Sequence, residues 1–198
     1  MNPFPLTKPS RRMHRRWLTA GAGLAAAYVA VCMAAIFHPR LDAGKPLHTS
    51  WTLTRVGQAA PRFRVTTTDG TVFDSAASRH SRPVLITFFA TWCGPCGREL
   101  ARLEPEVWQK NRDRLDVIAI SIDDGDAAIK RFWGQKGFTF PAASDAGGKV
   151  FPKFAASAIP RTCLIDAQGR IVYQSLGYTE EEFPRLIKAI NAELSRVH

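Results

Sequence analysis

Two kinds of apolar pattern run along this chain, and they predict different structures. Residues 17–37, WLTAGAGLAAAYVAVCMAAIF, extend for 21 positions without a charge. About 20 such residues carry a helix across the hydrocarbon core of a bilayer, so the stretch predicts a transmembrane helix. Residues 38–56 mix Pro, Gly, His, Lys and Thr without a period and predict a linker. From residue 57 to 198 the pattern is that of a globular domain. Residues 63–66 and 71–73, joined by the turn Asp69-Gly70, predict a small hairpin. Two unbroken apolar runs, 84–89 and 116–122, predict strands buried on both faces. Between them, residues 95–112 place Leu100, Leu103, Val107 and Trp108 on one face of a helix, which Pro105 should kink or interrupt. Asp123-Asp124-Gly125-Asp126 predicts a turn that caps a helix over 127–136, and Gly137 ends it. An extended connector over 138–143 and a short helix over 149–156 follow. Strands over 162–166 and 171–175 flank a turn, and a last helix over 179–197 takes Thr179 as N-cap, with Glu180, Glu181 and Glu182 complementing its dipole. The order β-β-β-α-β-α-α-β-β-α is α/β, with helical crossovers between the buried strands.

Charge orients the first segment. The chain has 27 lysines and arginines against 17 acids, a net +10. Five of the basic residues (Lys8, Arg11, Arg12, Arg15, Arg16) and none of the acids lie in residues 1–38, which leaves 22 against 17 for the remainder. A basic cluster ahead of an apolar span puts residues 1–16 in the cytoplasm and the domain on the far side of the membrane. Three other readings compete with an uncleaved anchor. A cleaved signal peptide would show a shorter apolar region and a small-x-small exit. Lipidation of Cys32 would want a small residue before it, where Val31 stands. The pairs Arg11-Arg12 and Arg15-Arg16 only loosely suggest a twin-arginine signal. The basic residues of the domain are scattered, and nucleic-acid binding is not expected.

Candidate chemistry centres on Cys93-Gly94-Pro95-Cys96, set between the first buried strand and the helix. A thiolate is the nucleophile, and the positive end of a helix favours it over the thiol. Cys93 is therefore the expected attacking thiol. Cys96, three residues on, is the expected resolving thiol. Structural zinc would need two more ligands; the other cysteines, Cys32 and Cys163, form no second pair, and no His pair has ligand spacing. An inert structural disulfide is disfavoured because so short a loop constrains the unfolded chain little. The Asp123–Asp126 cluster lacks the spacing and terminal Glu of a calcium loop. No metal and no cofactor is expected beyond the Cys93–Cys96 dithiol itself. A Cu(I) or zinc chaperone using the same two thiolates is the alternative from a different functional class.

At Trp92-Cys93-Gly94-Pro95-Cys96 the chain resembles thioredoxins. Three more features narrow the resemblance to TlpA/ResA-type proteins, the membrane-anchored extracytoplasmic thiol-disulfide oxidoreductases. Gly57-Gln58-Ala59-Ala60-Pro61-Arg62-Phe63 is similar to the family's G-x-x-A-P-x-F opening. Ile159-Pro160 runs into LIDAQGRIV, similar to its IPxxxLID-x-x-G-x-I region, and Glu99 matches a frequent family glutamate. The resemblance implies a thioredoxin-like mixed sheet flanked by helices. It also implies a cis peptide bond before Pro160, beside the cysteines, and a substrate surface of Trp92, Pro95, Ile159 and Pro160. Protein disulfides would be the substrates and a membrane thiol reductant the partner. Cytochrome c maturation and the reduction of metal-site thiols are the implied settings. Thr87 departs from thioredoxins, which carry a buried acid at that position. Glu99 either turns inward and replaces that acid as proton partner of Cys96, or lies solvated in the first turn. Cys163 is expected to be a small buried hydrophobe rather than an auxiliary redox thiol. Peroxiredoxin-like peroxide reduction needs a Pro-x-x-x-Thr-x-x-Cys arrangement that the chain lacks.

Overall fold

The computed structural model describes residues 51–76 and 82–196. The expected span at 17–37 and Cys32 lie outside the described residues. Among the described residues no helix is long and apolar enough to cross a membrane.

The elements in chain order are β1 (Arg64–Thr66), β2 (Val72–Asp74), β3 (Val84–Phe89), α1 (Gly94–Leu103), a π-helical segment (Glu104–Trp108), α2 (Gln109–Asn111), β4 (Asp116–Ser121), α3 (Asp126–Lys136), β5 (Ala142–Ser144), a 3₁₀ turn (Phe151–Lys153), β6 (Arg161–Ile165), β7 (Ile171–Leu176) and α4 (Phe183–Leu194). Among the described residues β1 and β2 form an antiparallel ribbon, and a five-stranded sheet has the order β5-β4-β3-β6-β7. β3 pairs in parallel with β4 and antiparallel with β6. The expected mixed sheet flanked by helices is therefore present.

All six residues of β3 are buried, because apolar side chains cover the sheet on both faces. Strand alternation sends Leu85 and Phe89 into one cluster with Leu100, Leu103, Val107, Trp133, Phe183 and Ile190. It sends Val84, Ile86 and Phe88 into another with Phe63, Ile118, Phe151, Phe154 and Ile165. Burying one Leu or Phe side chain contributes about 1.5–3 kcal/mol, so these two clusters hold the layers together.

Pro105 interrupts its helix as expected. It lies in the π-helical segment, where the N–H of Gln109 bonds the carbonyl of Glu104, five residues back. Gly137 closes α3 in the left-handed conformation, at φ 71°.

Several boundaries differ from expectation. The aspartate cluster does not cap α3 through a side chain: Gly125 is the N-cap, and no side-chain hydrogen bond caps the helix. The connector at 138–143 ends in β5, an edge strand too short to show a period. The expected helix over 149–156 is one 3₁₀ turn, because Asp145 draws the backbone N–H groups of Lys149, Val150 and Phe151 onto its carboxylate. The last helix starts at Phe183 rather than 179. The hydroxyl of Thr179 accepts the N–H of Glu182 in a turn ahead of it.

Candidate active site

Sheet topology brings the site together. β3 ends at Phe89, four residues before Cys93, and β6 runs the other way beside it, with Arg161 opposite Phe88. Pro160 immediately precedes Arg161. The start of β6 and the cysteine loop therefore share one end of the sheet. The Ile159–Pro160 peptide bond is cis, as the resemblance implied, and Ala158 just ahead of it has φ 73°. A positive φ on a residue with a Cβ costs about 1 kcal/mol, so neighbouring contacts hold this turn in shape.

Cys93 is the N-cap of α1, and its sulfur accepts the backbone N–H of Cys96 at 3.2 Å. Cys93 and Cys96 form a disulfide. The two cysteines are both buried but differ in residual exposure: Cys93 is 7% exposed and Cys96 is 0% exposed. Trp92 is 68% exposed, and its indole N–H donates to the Asp123 carboxylate at 3.2 Å. Pro95 is exposed, Ile159 half-buried and Pro160 buried.

Glu99 turns inward. It is 3% exposed, and the solvated reading of the sequence is overturned. Register explains what it meets. Thr87 of β3 lies directly opposite Thr162 of β6, on the face covered by α1. Glu99 comes down from α1 onto this pair and accepts hydrogen bonds from Thr87 at 3.1 Å and Thr162 at 2.8 Å. The two hydroxyl oxygens lie 3.1 Å from each other. Burial pushes the Glu99 carboxyl up to about 7, although both threonine bonds pull it down. A group that titrates near neutrality one helical turn from Cys96 is suited to exchange protons with it.

Cys163 sits on the other face of β6, in the second apolar cluster. Burial pushes its thiol up to about 12, against the pull of the Arg161 cation. It is the small apolar residue the sequence suggested. Among the described residues no group of His, Cys, Asp and Glu is arranged to hold a metal.

Sequence reasoning passed over three participants. Thr162 is one; its only signal in the sequence is a hydroxyl beside the apolar run Cys163-Leu164-Ile165. Arg161 is 1% exposed, donates to Thr52 at 3.0 Å and to the Ser157 carbonyl at 3.3 Å, and leaves its Nε without a partner among the described residues. Asp124, read as part of a cap, bonds the cysteine loop instead.

Comparison with known proteins agrees with this geometry. A family model described as Redoxin matches residues 55–190. The thiol-disulfide oxidoreductase ResA of Bacillus anthracis is 32% identical over 138 residues, covering 69% of this chain and 79% of that protein. A solution structure of a candidate protein disulfide isomerase from Bacteroides thetaiotaomicron superposes with a TM-score of 0.70 at 34% identity, covering 73% of this chain and 93% of that one. A crystal structure of a candidate thiol:disulfide interchange protein DsbE from Chlorobium tepidum gives a TM-score of 0.64 at 26% identity, covering 71% and 98%.

Proposed function

We propose, for a chain that belongs to the Redoxin family and is a thiol-disulfide oxidoreductase of the TlpA/ResA type, that it works outside the cytoplasm and reduces the disulfides of exported proteins. The single observation that carries the assignment of roles is the place of Cys93, the more exposed of the two cysteines, as N-cap of α1 with its sulfur accepting the Cys96 N–H. An incoming disulfide reaches Cys93 and not Cys96. The Cys93 thiolate attacks one substrate sulfur, forms a mixed disulfide and releases the other substrate sulfur as a thiolate, which takes up a proton. Cys96 then attacks Cys93, restores the intramolecular disulfide and frees the second substrate thiol. Cys96 must lose its proton for this step, and Glu99, whose carboxyl burial pushes up to about 7, receives it when ionised. The two-electron reduction of substrate leaves the enzyme oxidised, so a membrane thiol reductant must recharge it.

Exposed Trp92 and Pro95 and half-buried Ile159 form the surface that a substrate segment meets, with buried Pro160 fixing the chain next to Ile159. The exposed indole supplies apolar area, and the backbone of Ile159 offers hydrogen bonds to an extended chain. The Gly-Pro pair between the cysteines resembles that of reducing thioredoxins and supports the reductive direction. The uncharged stretch 17–37, behind its basic cluster, supports a single-pass anchor with the domain facing the periplasm or its equivalent. Cytochrome c maturation and upkeep of metal-site thiols are the settings this reading favours. The test is mass spectrometry of partners trapped on the Cys96→Ser variant in its native membrane. Exported cysteine proteins joined to Cys93 are the expected result. An absence of mixed disulfides at Cys93, with traps forming instead on a Cys93→Ser variant, would overturn the assignment.

A further inference from the structure

The carboxylate of Asp124, the aspartate after β4 that fails to cap α3, accepts three hydrogen bonds, two of them from Thr91 of the cysteine loop. Oδ2 of Asp124 accepts the backbone N–H of Thr91 at 2.7 Å and the hydroxyl of Ser121 at 2.7 Å. Oδ1 accepts the hydroxyl of Thr91 at 2.7 Å. Asp124 is itself fixed to the ends of two strands: its N–H donates to Ser121 Oγ at 3.1 Å, and its carbonyl accepts the Ser144 hydroxyl at 2.6 Å. The next link is short. The N–H of Cys93 bonds the carbonyl of Ala90 at 3.1 Å, so the turn that presents the sulfur is closed across Thr91.

We propose that Asp124 is a positioning residue for the nucleophile: by gripping Thr91 at backbone and side chain it holds the Ala90–Cys93 turn so that the Cys93 sulfur stays at the N-terminus of α1. This rests on the reading of Cys93 as the attacking thiol. The physical argument is that the stabilisation of a thiolate by a helix N-terminus falls off within one turn. A loop free to swing would lose both that field and the bond from the Cys96 N–H. Charged hydrogen bonds to a carboxylate are about twice as strong as neutral ones, and here they join a loop to strand ends that cannot move independently of the sheet. Asp123 adds a second contact by receiving the indole of Trp92. Consecutive aspartates thus hold consecutive residues of the loop.

A purely electrostatic role for the carboxylate would have the opposite sign. As a negative charge near the loop, Asp124 would raise the Cys93 thiol pKa, so removing it would make Cys93 more reactive. Positioning predicts that removing it makes Cys93 less reactive. Asparagine separates the two. Its amide oxygen can take the place of Oδ2 and accept from Thr91 and Ser121, while its NH₂ donates to the Thr91 hydroxyl. It keeps the grip and loses the charge.

The experiment follows alkylation of the reduced full-length chain by iodoacetamide from pH 5 to 10, with Cys93 and Cys96 resolved by mass spectrometry. Alongside it, kcat and KM are measured on a peptide containing one disulfide. Asp124→Ala should slow Cys93 alkylation at pH 7 about fivefold and move its pH profile upward, the size expected for losing a helix-terminus contact. Asp124→Asn should recover to within about twofold of the parent. Thr91→Val keeps the backbone bond and loses the hydroxyl bond, so it should shift the profile the same way by about twofold even if Asp124→Ala fails to fold. The loss should fall on kcat more than on KM. Faster alkylation in both Asp124 variants, or an unchanged Cys93 profile in Asp124→Ala and Thr91→Val, overturns the proposal. If Cys96 is the faster thiol in the parent chain, the assignment of Cys93 itself falls, a result distinct from either.

Discussion

Cys96 and Cys163 are each 0% exposed, yet they lie in different chemical worlds. Cys96 sits in the first turn of α1, three residues before the buried Glu99, and shares a disulfide with the N-cap residue. Cys163 stands two strand positions from Arg161, on the opposite face of β6 from Thr162, surrounded by apolar side chains. Burial alone therefore does not decide whether a sulfur reacts. A helix N-terminus and a buried carboxyl make one site a redox centre; Cys163 has neither, and burial pushes its thiol up to about 12 despite the Arg161 cation.

Exchanging sulfur for oxygen breaks the comparison most severely. Cys93→Ser should lower disulfide exchange at least about 10³-fold, since a hydroxyl is not ionised near neutral pH. Cys163→Ala should leave exchange within about twofold and cost about 1 kcal/mol of stability, read from denaturant melts of both variants. A Cys163→Ala variant that loses exchange while folded would make the second face part of the chemistry.

Glu99 gives the next largest effect, and it depends on pH. Its carboxyl titrates near 7 when folded, against 4.5 ordinarily, so the folded chain holds an extra proton between those values. The stabilising state is the protonated one. Stability from this group is complete below about pH 4.5 and is lost as pH rises through about 7, by roughly 3 kcal/mol at about 1.4 kcal/mol per unit. Glu99→Gln removes that loss. It should match the parent near pH 4 and exceed it by up to about 3 kcal/mol at pH 8, measured on the oxidised form. The same variant should slow the resolving step and flatten its dependence on pH around 7. A parent stability curve without the decline would place Glu99 in water.

The smallest effect sharpens the origin of that shift. Thr162→Val removes the shorter bond to Glu99, and one hydrogen bond is worth about 1 kcal/mol. The Glu99 pKa should rise by up to about one unit, visible in a carboxyl-carbon NMR titration. Thr87→Val should do the same to a lesser degree.

How much of this was legible in the chain follows from the range of the interactions. β3, β4, α1 and the Pro105 break follow from local pattern, because their periodicity and the missing proline N–H act within a few residues. The cysteine pair was legible for the same reason. The orientation of Glu99 was not, because it depends on the Thr87–Thr162 register, 75 residues apart in sequence and set by strand pairing. Asp124 illustrates the same limit. Locally an aspartate before a helix is a cap, but Thr91 lies 33 residues away and wins the carboxylate. Asp145 likewise spends its oxygens on a tight turn where pattern alone suggested two turns of helix.

The most direct measurement of the central claim is one titration of three thiols. The reduced full chain, labelled with ¹³C at cysteine Cβ, reports Cys93, Cys96 and Cys163 together from pH 5 to 11. Cys93 should ionise first and below the usual thiol value of about 8.5. Cys96 should ionise later, with an inflection where Glu99 titrates, and Cys163 should stay protonated throughout. Cys163 ionising alongside Cys93, or Cys93 ionising after Cys96, would contradict that claim.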